Sequence, residues 1–380
     1  LNPIVRTWFK NKFSSFSDPQ RFAIPPIHNK ENVLVSAVTG SGKTLTAFLV
    51  ILNELITLSE KKQLEDKVYA VYVSPLKALG ADIHVNLILP LKEMEHQEKK
   101  EFGIRVALRT GDTSPSERQK MLKHPPHILV TTSESLAIML ISPKFSELLK
   151  NVDYFIMDEL HSFAENKRGT HLSLSIERLQ NISQKMVRIG LSATAEPIEE
   201  LAEFLVGSKR NCKIIKTELT KKLDATVISP VEDLIEVTER KLHHNLYTLL
   251  DQLIEQHKTT LIFTNTRAGT ERVVHHLKQS FPKKYIENIA AHHGSLSKSH
   301  RLEVEQKLRD GKLKAVVCST SLELGLDIGY IDLVVLLGSP KSIARASQRI
   351  GRSGHRLHDT IKGRFIVLDR DDLIESSVLL

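Results

Sequence analysis

The chain has 380 residues, 41% of them apolar, with a formal net charge of +8. A single hydrophobic core rarely grows past roughly 250–300 residues, so this length calls for two domains. No apolar run approaches the roughly 20 residues of a membrane span, and the opening "LNPIVRTWFKNKF" lacks the apolar stretch of a signal peptide, which argues against membrane and secreted classes and for the cytoplasm. Cys212 and Cys318 are the only cysteines, and the second sits in the apolar run "KAVVCST", so two reduced thiols are expected and no disulfide framework. The positive charge permits phosphate-bearing partners without requiring them.

In chain order, the first element with chemistry is "NVLVSA", a short buried strand, followed by "VTGSGKT" and the helical pattern "LTAFLVILNELITL". Gly40 and Gly42 admit backbone angles closed to other residues, so the amides of Gly40, Ser41 and Gly42 can turn inward at the positive end of the helix and cradle phosphate. Lys43 would reach the β- and γ-phosphates, and the Thr44 hydroxyl would ligate Mg²⁺. Ala37 stands where the strict P-loop pattern has glycine.

The next stretch, "SEKKQLEDKVY", is a solvated loop by its charges. After it, "YAVYVSP", "IRVALRT", "HILVTT", "DYFIMDE" and "MVRIGLSAT" alternate with helical patterns, each ending in a polar or small-residue loop. That alternation predicts a parallel sheet with crossover helices and ligands at the carboxyl ends of its strands. ATP hydrolysis needs a carboxylate on the metal side and a group that orients water. Asp158 and Glu159, ending the strand "YFIM", supply both: Asp158 would hold Mg²⁺ through water, and Glu159 would accept the proton of the attacking water. Adjacent residues of a strand point to opposite faces, which would give each its own task.

The stretch from Lys213 to Arg240 carries no phosphate loop, and the crossing between domains is placed near 212–230, with the domains taken as 1–215 and 216–380. The second half repeats the alternation with "TTLIFTNTR", "IENIAAHHG", "KAVVCSTS", "DLVVLLGSP" and "GRFIVLD". The histidine pairs at 243–244, 275–276 and 292–293 have no cysteine or carboxylate at zinc spacing and are expected as exposed helix or loop residues. "QRIGRSGHR" presents Gln348, Arg349, Arg352 and Arg356 among glycines, and a guanidinium from there could offset charge at the γ-phosphate and couple hydrolysis to domain closure.

Taken in order, "FSDPQ", "AVTGSGKT", "VSPLKAL", "RTGD", "VTTSES", "MDELH", "LSAT", "LIFTNTR", "HHGSL", "CSTSLELGLDIG" and "QRIGRSGHR" resemble a superfamily 2 helicase from end to end. "DELHSFAENKRGTHLSLSIERL" and "GSPKSIARASQRIGRSGHR" are similar to the large helicase-related (Lhr) family. The resemblance implies an α/β fold of two tandem RecA-like domains, each a parallel sheet flanked by helices, with ATP between them and a single nucleic-acid strand across both.

Carried over by position, the resemblance makes Lys43, Thr44, Asp158 and Glu159 the hydrolytic set, Gln20 the adenine reader and Arg352 an arginine finger. Gly325 and Asp327 would face the nucleotide from the second domain, and Ser192 and Thr194 would link it to the strand groove. Strand contacts would come from Pro75, Lys77, Arg109, Gly111, Thr131, Thr132, Thr264, Arg267, Ser319 and Thr320. Hydroxyls, amides and cations suit phosphates and carry no base code, so binding is expected to be independent of sequence. With aromatics at only 5%, base stacking is a minor grip. His355 stands where the common pattern has a second arginine finger, and Val38 and Ser133 stand where relatives often carry proline. The winged-helix and β-barrel domains that follow the family's core are not found in these residues, and the chain starts without Met, as a fragment would.

The expected function is an ATP- and Mg²⁺-dependent translocase and helicase core on single-stranded DNA or a tailed duplex, with 3′-to-5′ polarity implied by the resemblance and RNA–DNA hybrids as further substrates. An RNA helicase, an ATP-gated clamp that remodels without unwinding, and a nucleotide switch for a protein partner remain open on sequence alone.

Overall fold

A computed structural model describes residues 1–38, 40–74, 83–164, 166–217, 222–323, 329–354 and 360–380, without the side chains of Lys298 and Ala344. The chain forms two compact units, Leu1–Leu219 and Thr220–Leu380. Among the described residues, no helix is long and apolar enough to cross a membrane.

In the first unit the strands are β1 (Val33–Ala37), β2 (Ala70–Val73), β3 (Val106–Arg109), β4 (Ile128–Thr131), β5 (Tyr154–Met157), β6 (Val187–Ser192) and β7 (Lys213–Thr217). They pair in the order β3-β4-β2-β5-β6-β1-β7, every pairing parallel. Alternate residues of the central strands enter two separate cores. Val33, Val35, Tyr72, Ile128 and Ile156 pack with the helix Lys43–Glu60, while Leu34, Val71, Val73, Leu129 and Phe155 pack with Leu172, Ile176 and Leu179 of the helix Lys167–Ile182. A sheet covered on both faces explains why these strands read as continuous apolar runs.

The second unit has β8 (Leu223–Ile228), β9 (Thr260–Phe263), β10 (Ile289–His292), β11 (Ala315–Cys318), β12 (Leu333–Leu337) and β13 (Ile361–Ile366). Their order is β10-β11-β9-β12-β13-β8, again parallel throughout. Two strands lie inside the stretch read as the inter-domain crossing: β7 completes the first sheet beside β1, and β8 completes the second beside β13. A boundary at 215 would therefore cut through β7. Parallel strands all point one way, so the loops that follow them gather at one edge of each sheet, where ligands of such folds bind.

Candidate active site

The loop after β1 is shaped by two left-handed glycines, Gly40 (φ +79°) and Gly42 (φ +85°), and Gly42 caps the helix Lys43–Glu60. Gly42 is required twice over, because a Cβ there would also lie 3.0 Å from Gln20 Nε2. Gln20 is only 4% exposed, and its Oε1 accepts from the Ser17 amide at 3.0 Å. Ser17 Oγ in turn donates to the Ser41 carbonyl at 2.8 Å. The segment "FSDPQ" is thus fastened directly to the phosphate loop. Lys43 Nζ donates to the carbonyls of Ala37 at 2.6 Å and Val38 at 2.9 Å, which holds its ammonium over the loop. Ser41 Oγ is buried in this cradle without a hydrogen-bond partner among the described residues.

Asp158 follows β5, and β6 separates that strand from β1, yet Thr44 Oγ1 donates to Asp158 Oδ2 at 3.2 Å. Tyr72 from β2 donates to the same oxygen, and the Glu159 amide donates to Oδ1 at 2.8 Å. The carboxylate is 6% exposed. Burial and the neighbouring Glu159 charge push its pKa up to about 6, against the pull of the Tyr72 bond and the Lys43 charge. An all-oxygen donor pair of hydroxyl and buried carboxylate suits a hard cation such as Mg²⁺, so Thr44 and Asp158 fit the metal implied by the sequence.

The two carboxylates diverge for a different reason from the one the strand pattern suggests. Asp158 and Glu159 lie past the end of β5, and Glu159 takes a left-handed backbone (φ +53°), a costly conformation for a residue with a Cβ. Its Oε2 lies 3.4 Å from His161 Nε2. His161 Nδ1 accepts from the Ala193 amide at 3.2 Å and sits 3.1 Å from Ser192 Oγ, so in the neutral ring the proton is on Nε2, facing Glu159. His161 is not among the residues expected at the site. Its position two places after Glu159 in "MDELH" is the available signal, and it ties the end of β5 to the "LSAT" loop after β6, where Ser192 is buried and Thr194 exposed.

The residues expected to hold a strand divide by exposure. Arg109, at the end of β3, is 4% exposed, with its guanidinium donating to the Thr110 carbonyl and lying 5.9 Å from the Phe145 ring centroid. Thr131 Oγ1 donates to the Arg109 carbonyl at 2.6 Å, and Thr132 caps the helix Ser133–Ile141. Gly111 is exposed. In the second unit Thr264 Oγ1 donates to the Thr266 carbonyl at 2.9 Å, Ser319 is buried, and Arg267 and Thr320 are exposed. Pro75, Lys77, Gly325, Asp327, His355 and Arg356 lie outside the described residues.

Arg352 is 2% exposed, and its amide donates to the Arg349 carbonyl at 3.0 Å. Arg349 beside it is buried in a network of its own, with Nε 3.3 Å from Glu323 Oε1, Nη1 3.4 Å from Asn265 Oδ1, and the guanidinium 5.1 Å from the Phe263 ring centroid. The expectation of exposed histidines fails for His292 and His293, which are buried and face Glu305 and Glu271. These carboxylates are far along the chain, so sequence spacing does not reveal them. Among the described residues no group of three or more candidate ligands could hold a metal through histidine, cysteine or carboxylate.

Residues 17–203 match the DEAD/DEAH box helicase family, and residues 243–356 match the helicase conserved C-terminal domain. The chain is 59% identical to ATP-dependent helicase Lhr-Core protein 2 of Thermococcus barophilus over 99% of its own length and 44% of that protein. It is 56% identical to ATP-dependent helicase Lhr-Core of Methanothermobacter thermautotrophicus over 100% of itself and 45% of that protein. It therefore spans less than half the length of these curated relatives. Among solved structures, Mycobacterium smegmatis helicase Lhr bound to ssDNA and AMP-PNP matches with a TM-score of 0.89 and 37% identity, over 100% of this chain and 49% of that one. The two sheets are accordingly those of tandem RecA-like helicase domains.

Proposed function

We propose, because this chain belongs to the large helicase-related (Lhr) family of superfamily 2 helicases, that it couples ATP hydrolysis to movement along a single nucleic-acid strand. One observation carries the reading: the Thr44 hydroxyl of the phosphate loop meets the buried Asp158 carboxylate at 3.2 Å, beside a loop clamped by Gln20. Gln20 reads the base of the nucleotide, the amides of Gly40, Ser41 and Gly42 bind its phosphates, and Lys43 neutralises their outer charge. Mg²⁺, when bound, offsets charge on the transferring phosphate. Thr44 would hold it directly and Asp158 through water. Glu159 accepts the proton of the attacking water, oriented by the His161 Nε2–H. Arg352 offsets the charge that develops at the γ-phosphate.

The substrate is single-stranded DNA or a tailed duplex traversed 3′ to 5′, with RNA–DNA hybrids as a second class, and the strand stimulates turnover. Arg267, Thr320 and the backbone of the strand-end loops meet phosphates, so base sequence is not read. ATPase turnover measured with single-stranded DNA, with single-stranded RNA and without nucleic acid tests this directly. Turnover several-fold higher with DNA is expected. Turnover that no strand raises would overturn the reading and favour a nucleotide switch.

A further inference from the structure

His292 is the last residue of β10, the edge strand of the second sheet, and pairs in register with Cys318, the last residue of β11. The chain leaves β11 through Ser319, Thr320 and Ser321, so the imidazole stands beside the start of a loop that would meet strand phosphates. Ser321 Oγ lies 2.7 Å from the His292 carbonyl oxygen and 2.6 Å from its Nδ1. A serine hydroxyl has one hydrogen. Were it given to Nδ1, two oxygen lone pairs would face each other at the shorter end of hydrogen-bond range. The hydroxyl therefore donates to the carbonyl, and Nδ1–H donates to the hydroxyl. On the opposite side Nε2 lies 3.1 Å from Glu305 Oε1 of the helix Lys298–Arg309. Both ring positions are fixed by directed bonds in a buried setting, where each bond costs most to lose.

The adjacent His293 turns the other way, as neighbours on an extended chain do. Its Nε2 donates to Glu271 Oε1 at 2.6 Å, and its Nδ1 accepts from the Ser295 amide at 3.3 Å. Ser295 Oγ accepts from Arg267 Nη1 at 2.7 Å. Further along the described part of the loop after β11, Glu323 Oε1 pairs with Arg345 and Arg349, each at 3.3 Å. Loosening the His292 end would thus release Ser321 while leaving the Glu323 amide on the Thr320 carbonyl at 3.4 Å and the contacts around Arg349 in place.

We propose that His292 is a positioning residue for strand binding: through Ser321 it sets the Ser319–Ser321 backbone so that the Ser319 and Thr320 hydroxyls and the loop amides meet the phosphates of a bound single strand. This rests on the strand-stimulated reading above. The test measures ATPase turnover against the concentration of a homopolymeric single-stranded DNA for the parent chain, Ser321→Ala, His292→Ala, the double variant and His292→Asn. Thermal melting alongside identifies any variant that fails to fold, and Ser321→Ala removes one oxygen only. The strand concentration giving half-maximal stimulation should rise about tenfold in either single variant, as for loss of one directed bond. The double variant should be no worse than His292→Ala, because both remove the same link. His292→Asn, whose amide can replace Nδ1–H, should recover most of the loss, with turnover at saturating strand within about twofold of the parent throughout. Unchanged half-saturation, additive losses, or a fall in saturated turnover as large as the shift in half-saturation would each overturn the proposal. A parent chain that no strand stimulates would instead overturn the reading on which it rests.

Discussion

Replacing Asp158 by Asn should destroy turnover while making the nucleotide-free protein more stable. The carboxylate is buried, and its pKa is raised from 3.8 to about 6 by desolvation first and by the Glu159 charge second. A raised carboxyl pKa means the native state holds the proton more tightly than the unfolded chain, so the ionised form destabilises the fold. That cost is absent below the unfolded value of 3.8, grows as pH rises, and is complete above about 6. At about 1.4 kcal/mol per pH unit it amounts to about 3 kcal/mol at neutral pH. The side-chain amide introduced by Asp158→Asn would keep the Tyr72 and Thr44 contacts, since both hydroxyls can accept from an amide, and would carry no charge. For a unit the size of Leu1–Leu219, about 3 kcal/mol corresponds to a rise in Tm of about 6–12 °C. Trp8 is the sole tryptophan and is buried in this unit, so its fluorescence follows the unfolding. Melts at pH 7.5 should show the full gain, and melts at pH 5 roughly half of it. Saturating Mg²⁺–ATP should raise the parent's Tm more than the variant's, because the bound cation compensates a charge that only the parent has. A Tm difference equal at both pH values, or a variant no more stable than the parent at pH 7.5, would refute the account of Asp158 as a buried charge whose hydrogen bonds and Lys43 neighbour offset its burial only in part.

Glu159→Gln should retain ATP binding and lose turnover, since the phosphate and metal contacts survive while water loses its proton acceptor; parental turnover at saturating DNA would show that Glu159 is not the base. Arg352→Ala should lower turnover by about 10³-fold or more with a much smaller loss of ATP affinity, and Arg352→Lys should restore little, because an ammonium lacks the planar fork. Unchanged DNA-stimulated turnover in Arg352→Ala would remove that group from the mechanism. Affinity for a single strand should fall steeply with salt, with a logarithmic slope of about −3.5 for about 5 phosphates neutralised, and should hardly vary with base sequence. Fluorescence anisotropy of a labelled oligonucleotide across a salt series checks both.

What the sequence shows plainly is local. The phosphate loop and "MDELH" each place several functional groups within a few consecutive residues, and a strand buried on both faces writes itself as an unbroken apolar run. β7 ("KIIKT") and β8 ("LDATVI") escape because each closes a sheet edge, is partly exposed, and mixes charged with apolar residues. They sit on either side of the crossing between units, so a stretch that reads as a linker is mostly strand. His292 and His293 escape for another reason: the carboxylates that satisfy them come from other elements, 13 and 22 positions away.

Arg349 illustrates the limit most clearly. It stands three places from Arg352 in a run of cations that reads as one surface loop, yet its guanidinium is spent on Glu323, Asn265 and the Phe263 ring. Burial lowers its pKa and raises that of Glu323, so each is tolerable only beside the other. Composition identifies which residues could hold phosphate, but a buried cation is committed to whichever anion shares its burial. That partner is set by strand order: β9, which carries Phe263 and leads to Asn265, lies between β11, which leads to Glu323, and β12, which leads to the helix Ile343–Ile350 bearing Arg349. Because every strand runs the same way, these three loops emerge at one edge, and the same rule brings Thr44, Asp158 and Ser192 together in the first unit from positions spread along the chain.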